Sequence, residues 1–215
     1  MQSLFRFLYV IVRRLRIVDV TQLFHLPAEK ESASVCSGEY TIRIVNSAEL
    51  DEWEQAGFID ELASKKASLA DPRRALVAAF HGGQVVSYLW IANDAVDSRD
   101  NYSRSEHLGT SIAMPDGTVF VYDAWTAPEH RGRRLIASLL SWSLRNRVLG
   151  ARAYLTMIDW TNQKSIRAFE FLGMQRLGWI VRFGRGRYQF SIVPQKAKQI
   201  GLQVARQAPG VKLAW

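Results

Sequence analysis

Residues 125–135 read Trp125-Thr126-Ala127-Pro128-Glu129-His130-Arg131-Gly132-Arg133-Arg134-Leu135, and the fold turns on how this stretch is read. An apolar strand ends, the chain turns at Pro128, and a glycine flanked by arginines feeds a helix. The first turn of a helix leaves backbone N–H groups without partners, and the helix dipole places partial positive charge there. Such a start attracts phosphate. Arg131, Arg133 and Arg134 add formal charge, while Gly132 removes a side chain where backbone must come close to a ligand. The stretch reads as a pyrophosphate site, with a structural turn as the alternative.

Outward from it, residues 118–126 form the entering strand and residues 135–149 the leaving helix, closed by Gly150 in a left-handed cap. Residues 151–158 read as another strand and 162–172 as another helix. Asn162 stands where a short polar side chain accepts from a free N–H, and Gly173 ends the helix. Residues 176–183 and 187–193 make a last hairpin across Gly184-Arg185-Gly186. Upstream, residues 40–45 alternate as a strand, 47–69 are helical and end at Asp71-Pro72, and 74–80 with 84–92 form a hairpin across His81-Gly82-Gly83. Residues 93–117 carry Asp94, Asp97, Arg99, Asp100 and Asn101 with no period and read as a long loop, with a short helix within it as the alternative; loops of this length are often functional.

A chain of 215 residues suits one core. Its 48% hydrophobic content, with 7 Trp, 7 Tyr and 10 Phe, excludes disorder of the whole chain, because apolar area on this scale offsets chain entropy. One cysteine, Cys36, excludes an intramolecular disulfide and a cysteine-rich zinc site, and suits a reducing, cytoplasmic setting. His25, His81, His107 and His130 are far apart, so no metal site is expected. The 28 Lys+Arg exceed the 20 Asp+Glu to give +8. Residues 175–215 hold Arg176, Arg182, Arg185, Arg187, Lys196, Lys198, Arg206 and Lys212 and no acidic residue, which suits an anionic partner or a solvated surface.

Near the start, the apolar run 7–12 is far short of the ~20 residues that span a bilayer. Arg13, Arg14 and Arg16 follow the apolar stretch instead of preceding it, which argues against a signal peptide. Drawn as a helix at about 100° per residue, 4–18 sets Arg6 and Arg13 across from Phe5, Leu8, Val12 and Leu15. This basic stripe covers the chain's own core or a homodimer seam, or lies on a membrane surface; a strand over 15–20 competes with it. Residues 27–38 read as a linker. The expected organisation is 1–38 as a basic amphipathic segment and linker, 39–194 as the globular domain, and 195–215 as a basic tail.

Residues 126–140, with Pro128 and Arg131-Gly132, resemble the coenzyme A pyrophosphate loop of the GNAT superfamily of acyl-CoA N-acyltransferases. Residues 162–174 resemble that family's next helix, in the same order and spacing. The resemblance covers about residues 40–193. It implies an α/β (α+β) fold: a mixed, mostly antiparallel central sheet with flanking helices, whose central parallel strands, 118–126 and 151–158, splay to admit the donor. It implies acetyl-CoA or another acyl-CoA as co-substrate. Thr126 backbone groups would follow the pantetheine arm, and the amides of Arg131, Gly132, Arg133, Arg134, Leu135 and Ile136 would hold the pyrophosphate. Asn162, Ser165 and Phe169 of the next helix would complete the donor site. Two departures stand out. Arg134 and Ile136 replace small residues of the family loop, and Arg134 offers a phosphate contact in compensation. Phe169 stands where many members carry a tyrosine that protonates the departing thiolate. Water or another side chain must serve, or the thiolate leaves unassisted, which the acidity of a thiol tolerates.

An amine attacks a thioester only when neutral, so a base must drain its proton and N–H groups must hold the developing oxyanion. Asp123 is the candidate base and Tyr122 the second choice; an orienting or ion-pair role is the alternative for Asp123. By the resemblance, the Ala124 and Trp125 amides are the oxyanion donors, with the Trp125 ring in the core. His130 belongs to the turn surface, and Ser111 and Ser165 lack a nucleophile-elbow context. The expected function is transfer of an acetyl or other acyl group to a primary amine by direct attack in a ternary complex. By the resemblance, the acceptor, a small molecule or a protein, would be bordered by residues 49–69 and 93–117. The alternatives are an N-acyltransferase that uses an acidic acyl carrier protein at a membrane surface, and a non-catalytic acyl-CoA-binding module. Arg182, Arg185 and Arg187 with the aromatics of the last hairpin offer stacking for RNA, but amphipathic strands explain them and nucleic acid ranks last.

Overall fold

Period-2 runs, glycine turns and polar caps mark out the elements along the chain. They are β1 (Val18–Leu26), β2 (Thr41–Val45), α1 (Ser47–Gln55), β3 (Arg74–His81), β4 (Gln84–Asn93), β5 (Ala95–Val96), β6 (Ile112–Ala113) and β7 (Thr118–Thr126). There follow α2 (Leu135–Arg145), β8 (Ala153–Asp159), α3 (Gln163–Phe171), β9 (Gln175–Arg185), β10 (Tyr188–Ile192), α4 (Gln195–Gln199) and β11 (Gln203–Val204). The computed structural model describes residues 11, 17–27, 38–55, 66–98, 100–101, 108–109, 111–185 and 188–204. The chain divides into two compact units, one of residues 28–93 and 117–154, the other of 1–27, 94–116 and 155–215.

In the first unit β2, β3, β4 and β7 lie in that order, each antiparallel to the next. Gly82 and Gly83 take φ of 56° and 83°, as the tight β3–β4 turn requires. Asn46 and Glu49 start α1 with a reciprocal cap, each side chain accepting from the other's backbone N–H at 3.0 and 3.1 Å. One sheet face packs Leu76, Ala78, Phe80, Tyr88 and Trp90 under Leu50 and Trp53 of α1. On β3, β4 and β7 also rests α2, through buried Leu135, Ala137, Leu139 and Leu140. Each of these leucines contributes roughly 1.5–3 kcal/mol by leaving water. The expected helix 135–149 stops at Arg145. Arg147 and Leu149 turn left-handed, at φ 48° and 54°, which breaks the helix before Gly150 and redirects the chain into β8. The Gly117 carbonyl accepts from the N–H groups of Arg152 and Ala153, so β7 and β8 start together.

In the second unit the order is β10-β9-β1-β8, with β9 antiparallel to both neighbours. Residues 18–26, expected in a segment before the domain, are therefore an inner strand, in register with β9 from Val18↔Phe183 to His25↔Gln175. The polar inward residues conceal this in the sequence. Asp19 and Arg182, each 2% exposed, pair at 2.6 Å, and Arg182 also donates to the Asn101 carbonyl. The expected helix over 4–18 lies mostly outside the described residues, and Val18 is already extended. Residues 28–37 of the expected linker also lie outside them. Residues 93–117 are more ordered than the loop reading allows. They supply β5 and β6, and β11 joins them as a three-stranded sheet. Up to residue 204 the expected tail is packed as well, with Ala197 0% and Leu202 3% exposed. Among the described residues no helix is long and apolar enough to cross a membrane.

Candidate active site

Between β4 and β7 the register slips by one residue. Trp90 faces Asp123 and Ile91 faces Val121, which leaves Tyr122 as the extra residue of a bulge. The bulge turns the Tyr122 ring onto Trp90, at 6.1 Å between centroids, while Trp125 stacks on Tyr88 at 5.6 Å. Both rings pack on the core cluster beneath α1, so the Trp125 side chain has the core role expected of it. Arg74 places its guanidinium 5.5 Å from the Tyr122 ring. Asp123 is half-buried at this bulge.

The end of β7 is tied down by a residue that the strand pattern alone does not single out. Ser87, fully buried, donates from Oγ to the Trp125 carbonyl at 2.9 Å and lies 2.8 Å from Thr126 Oγ1. The Ala127 N–H donates to the Val86 carbonyl. Pro128 then opens a single helical turn, and Arg131 Nε donates back to the Thr126 carbonyl at 3.2 Å.

Gly132 takes φ 78°, and a Cβ built there would meet nothing within 4 Å. Arg134, the N-cap of α2, is left-handed at φ 59° and forms no side-chain cap hydrogen bond. The first-turn amides of α2 are thus not taken by a cap, and the open glycine lets a ligand reach the backbone. This cradle fits a pyrophosphate. The backbone of Arg131, Gly132, Arg133, Arg134, Leu135 and Ile136 would hold it.

Arg133 does not reach into the cradle. Its Nη1 donates to the Tyr40 hydroxyl at 2.9 Å and lies 3.8 Å from Glu39. Arginine only donates, so the Tyr40 oxygen accepts from it and has its proton for His130 Nδ1, 3.1 Å away. His81 closes the cluster, its ring 5.3 Å from Tyr40 and 5.2 Å from His130. His130 is therefore part of a clamp that ties the loop to the start of β2. Neither Tyr40 nor Ser87 is distinguished in the sequence, because each looks like an ordinary strand residue.

Tyr122, Asp123, Ala124, Trp125, Thr126 and the loop 131–136 all belong to the first unit. Asn162, Ser165 and Phe169 belong to the second. There Asn162 Oδ1 accepts from the Ser165 N–H at 3.2 Å and caps α3, and Phe169 is buried at 7% exposure.

The cradle and the bulged strand lie together at the end of β7, in a mixed sheet with flanking helices. Over residues 39–174 the chain matches the model of the acetyltransferase (GNAT) family, and it belongs to that family. Its structure is similar to that of a GCN5-related N-acetyltransferase from Kribbella flavida, with a TM-score of 0.51 at 18% identity, covering 83% of this chain and 63% of that one. It is also similar to a conserved protein of unknown function from Staphylococcus epidermidis, with a TM-score of 0.52 at 13% identity, covering 79% and 63% of the two chains. The chain therefore spans under two thirds of the length of these structures. No curated protein matches it in sequence.

Proposed function

We propose that the protein transfers an acetyl or other acyl group from acyl-coenzyme A to a primary amine, by direct attack within a ternary complex. The observation that carries this reading is the open, uncapped entry to α2, which follows directly on the bulged end of β7. The donor supplies an activated thioester carbonyl. The amides of residues 131–136 hold its pyrophosphate, and the Thr126 backbone, whose carbonyl now accepts from Arg131, aligns its pantetheine arm. The Ala124 N–H takes the charge that develops on the carbonyl oxygen; Trp125, also expected to donate, stands in the hydrogen-bonded register opposite Tyr88 and turns its N–H to β4 instead. Asp123 removes the proton of the acceptor amine, and Tyr122 is the second candidate. Phe169 gives no proton to the leaving thiolate, which departs unassisted or takes one from water.

Calorimetric titration with coenzyme A and acetyl-CoA tests the donor site. Micromolar binding by the wild type, lost in Arg131→Ala and in Gly132→Glu, supports the reading, and thiol release over a panel of amines then identifies the acceptor. A wild-type protein that binds neither ligand overturns it.

A further inference from the structure

We infer that Ser87 is a positioning residue of the donor site: its hydroxyl fixes the peptide between Trp125 and Thr126, so that the Thr126 backbone stays aimed at the pantetheine arm of the donor. The inference rests on the donor site proposed above.

The strand register leaves this backbone in need of support. The Ala127 N–H donates to the Val86 carbonyl, so residues 127 and 125 stand in hydrogen-bonded pairs with residues 86 and 88 of β4, and Thr126 stands opposite Ser87 in a non-hydrogen-bonded pair. In that pattern Trp125 turns its N–H and carbonyl towards β4, whereas Thr126 turns both of its groups away from it. The ladder to β4 therefore does not hold the two groups that would follow the arm. They belong to the last residue of β7, beyond the bulge at Tyr122 where the register slips and the strand bends.

Ser87 supplies what the ladder does not. A trans peptide is planar, with its carbonyl and N–H directed oppositely, so a grip on the Trp125 carbonyl also sets the direction of the Thr126 N–H. Ser87 Oγ donates to that carbonyl at 2.9 Å and lies 2.8 Å from Thr126 Oγ1. A serine hydroxyl has one proton. With that proton on the carbonyl, the second contact is one in which the Thr126 hydroxyl donates to Ser87. One oxygen thus holds the peptide by its carbonyl and by the side chain of its second residue. Ser87 is fully buried, so water does not compete for either bond. The side chain that reaches the Thr126 carbonyl, Arg131, is by contrast long and exposed.

Calorimetry with two ligands separates the arm from the pyrophosphate. Coenzyme A carries both, whereas adenosine diphosphate carries the pyrophosphate alone. Ser87→Ala should weaken coenzyme A binding roughly ten-fold, the effect of losing one or two buried hydrogen bonds, and should leave adenosine diphosphate binding unchanged. Ser87→Thr restores a hydroxyl and should recover most of the coenzyme A affinity. A serine that served only the fold would, on removal, weaken both ligands alike. A Ser87→Ala protein that binds coenzyme A as the wild type does overturns the inference, and so does one that loses both ligands in equal measure. Failure of the donor site itself shows separately, as a wild type that binds neither ligand, and the inference falls with it.

Discussion

Tyr40 decides where the loop before α2 sits. Its hydroxyl joins Arg133 to His130, so one oxygen fixes two side chains of the loop to the start of β2. Tyr40→Phe keeps the ring against His81 and removes both hydrogen bonds. With each worth about 0.5–1.5 kcal/mol net, coenzyme A affinity should fall several-fold through a raised KM, with kcat little changed; steady-state kinetics would show the split. His25 makes a second prediction at this scale. Burial in β1 holds its pKa below the ordinary 6.5, so the folded imidazole stays neutral where that of the unfolded chain takes up a proton. Its contribution is whole above pH 6.5 and is lost as pH falls from there towards the lowered folded pKa. Urea unfolding from pH 7 down to pH 5 should lose less stability in His25→Gln than in the wild type.

Among the elements, the entry to α2 holds a conflict between stability and binding. Arg134 occupies a left-handed position at φ 59° that a glycine would take without strain. The strain costs about 1–2 kcal/mol for an L-residue, partly offset by the greater freedom of glycine in the unfolded chain. Arg134→Gly should raise the unfolding free energy by up to about 1 kcal/mol and weaken coenzyme A binding by removing a cation from the cradle. Thermal unfolding and calorimetry on the same variant would separate the two effects; equal coenzyme A affinity would show that only the backbone serves the site. The neighbouring elements were legible for local reasons. The Gly82-Gly83 turn, the Asn162 cap and the period of β7 are all written within a few residues of where they act.

At the scale of the whole molecule, the residues before the family match are part of the sheet. β1 lies between β8 and β9, and its buried Asp19 is paired with Arg182, 163 positions away. Removing one partner of a buried pair strands the other charge, at about 3–5 kcal/mol. Asp19→Ala should destabilise by that amount in denaturant titration, and Asp19→Leu with Arg182→Met should recover much of it. Deleting residues 1–38 should abolish folding, because it takes out an inner strand. A truncated protein with wild-type stability would remove β1 from the core.

By itself the sequence determined the class of protein. The strand, glycine-arginine turn and uncapped helix at 118–145 are local, since a helix start, a left-handed glycine and an alternating strand each need only their near neighbours in the chain. Only the tertiary structure decided that residues 18–26 are an inner strand, that residues 203–204 pair with 112–113, and that Arg133 is held by Tyr40. Each of these joins residues about 90 or more positions apart. A buried acid such as Asp19 reads as a surface residue until the arginine that neutralises it is brought beside it.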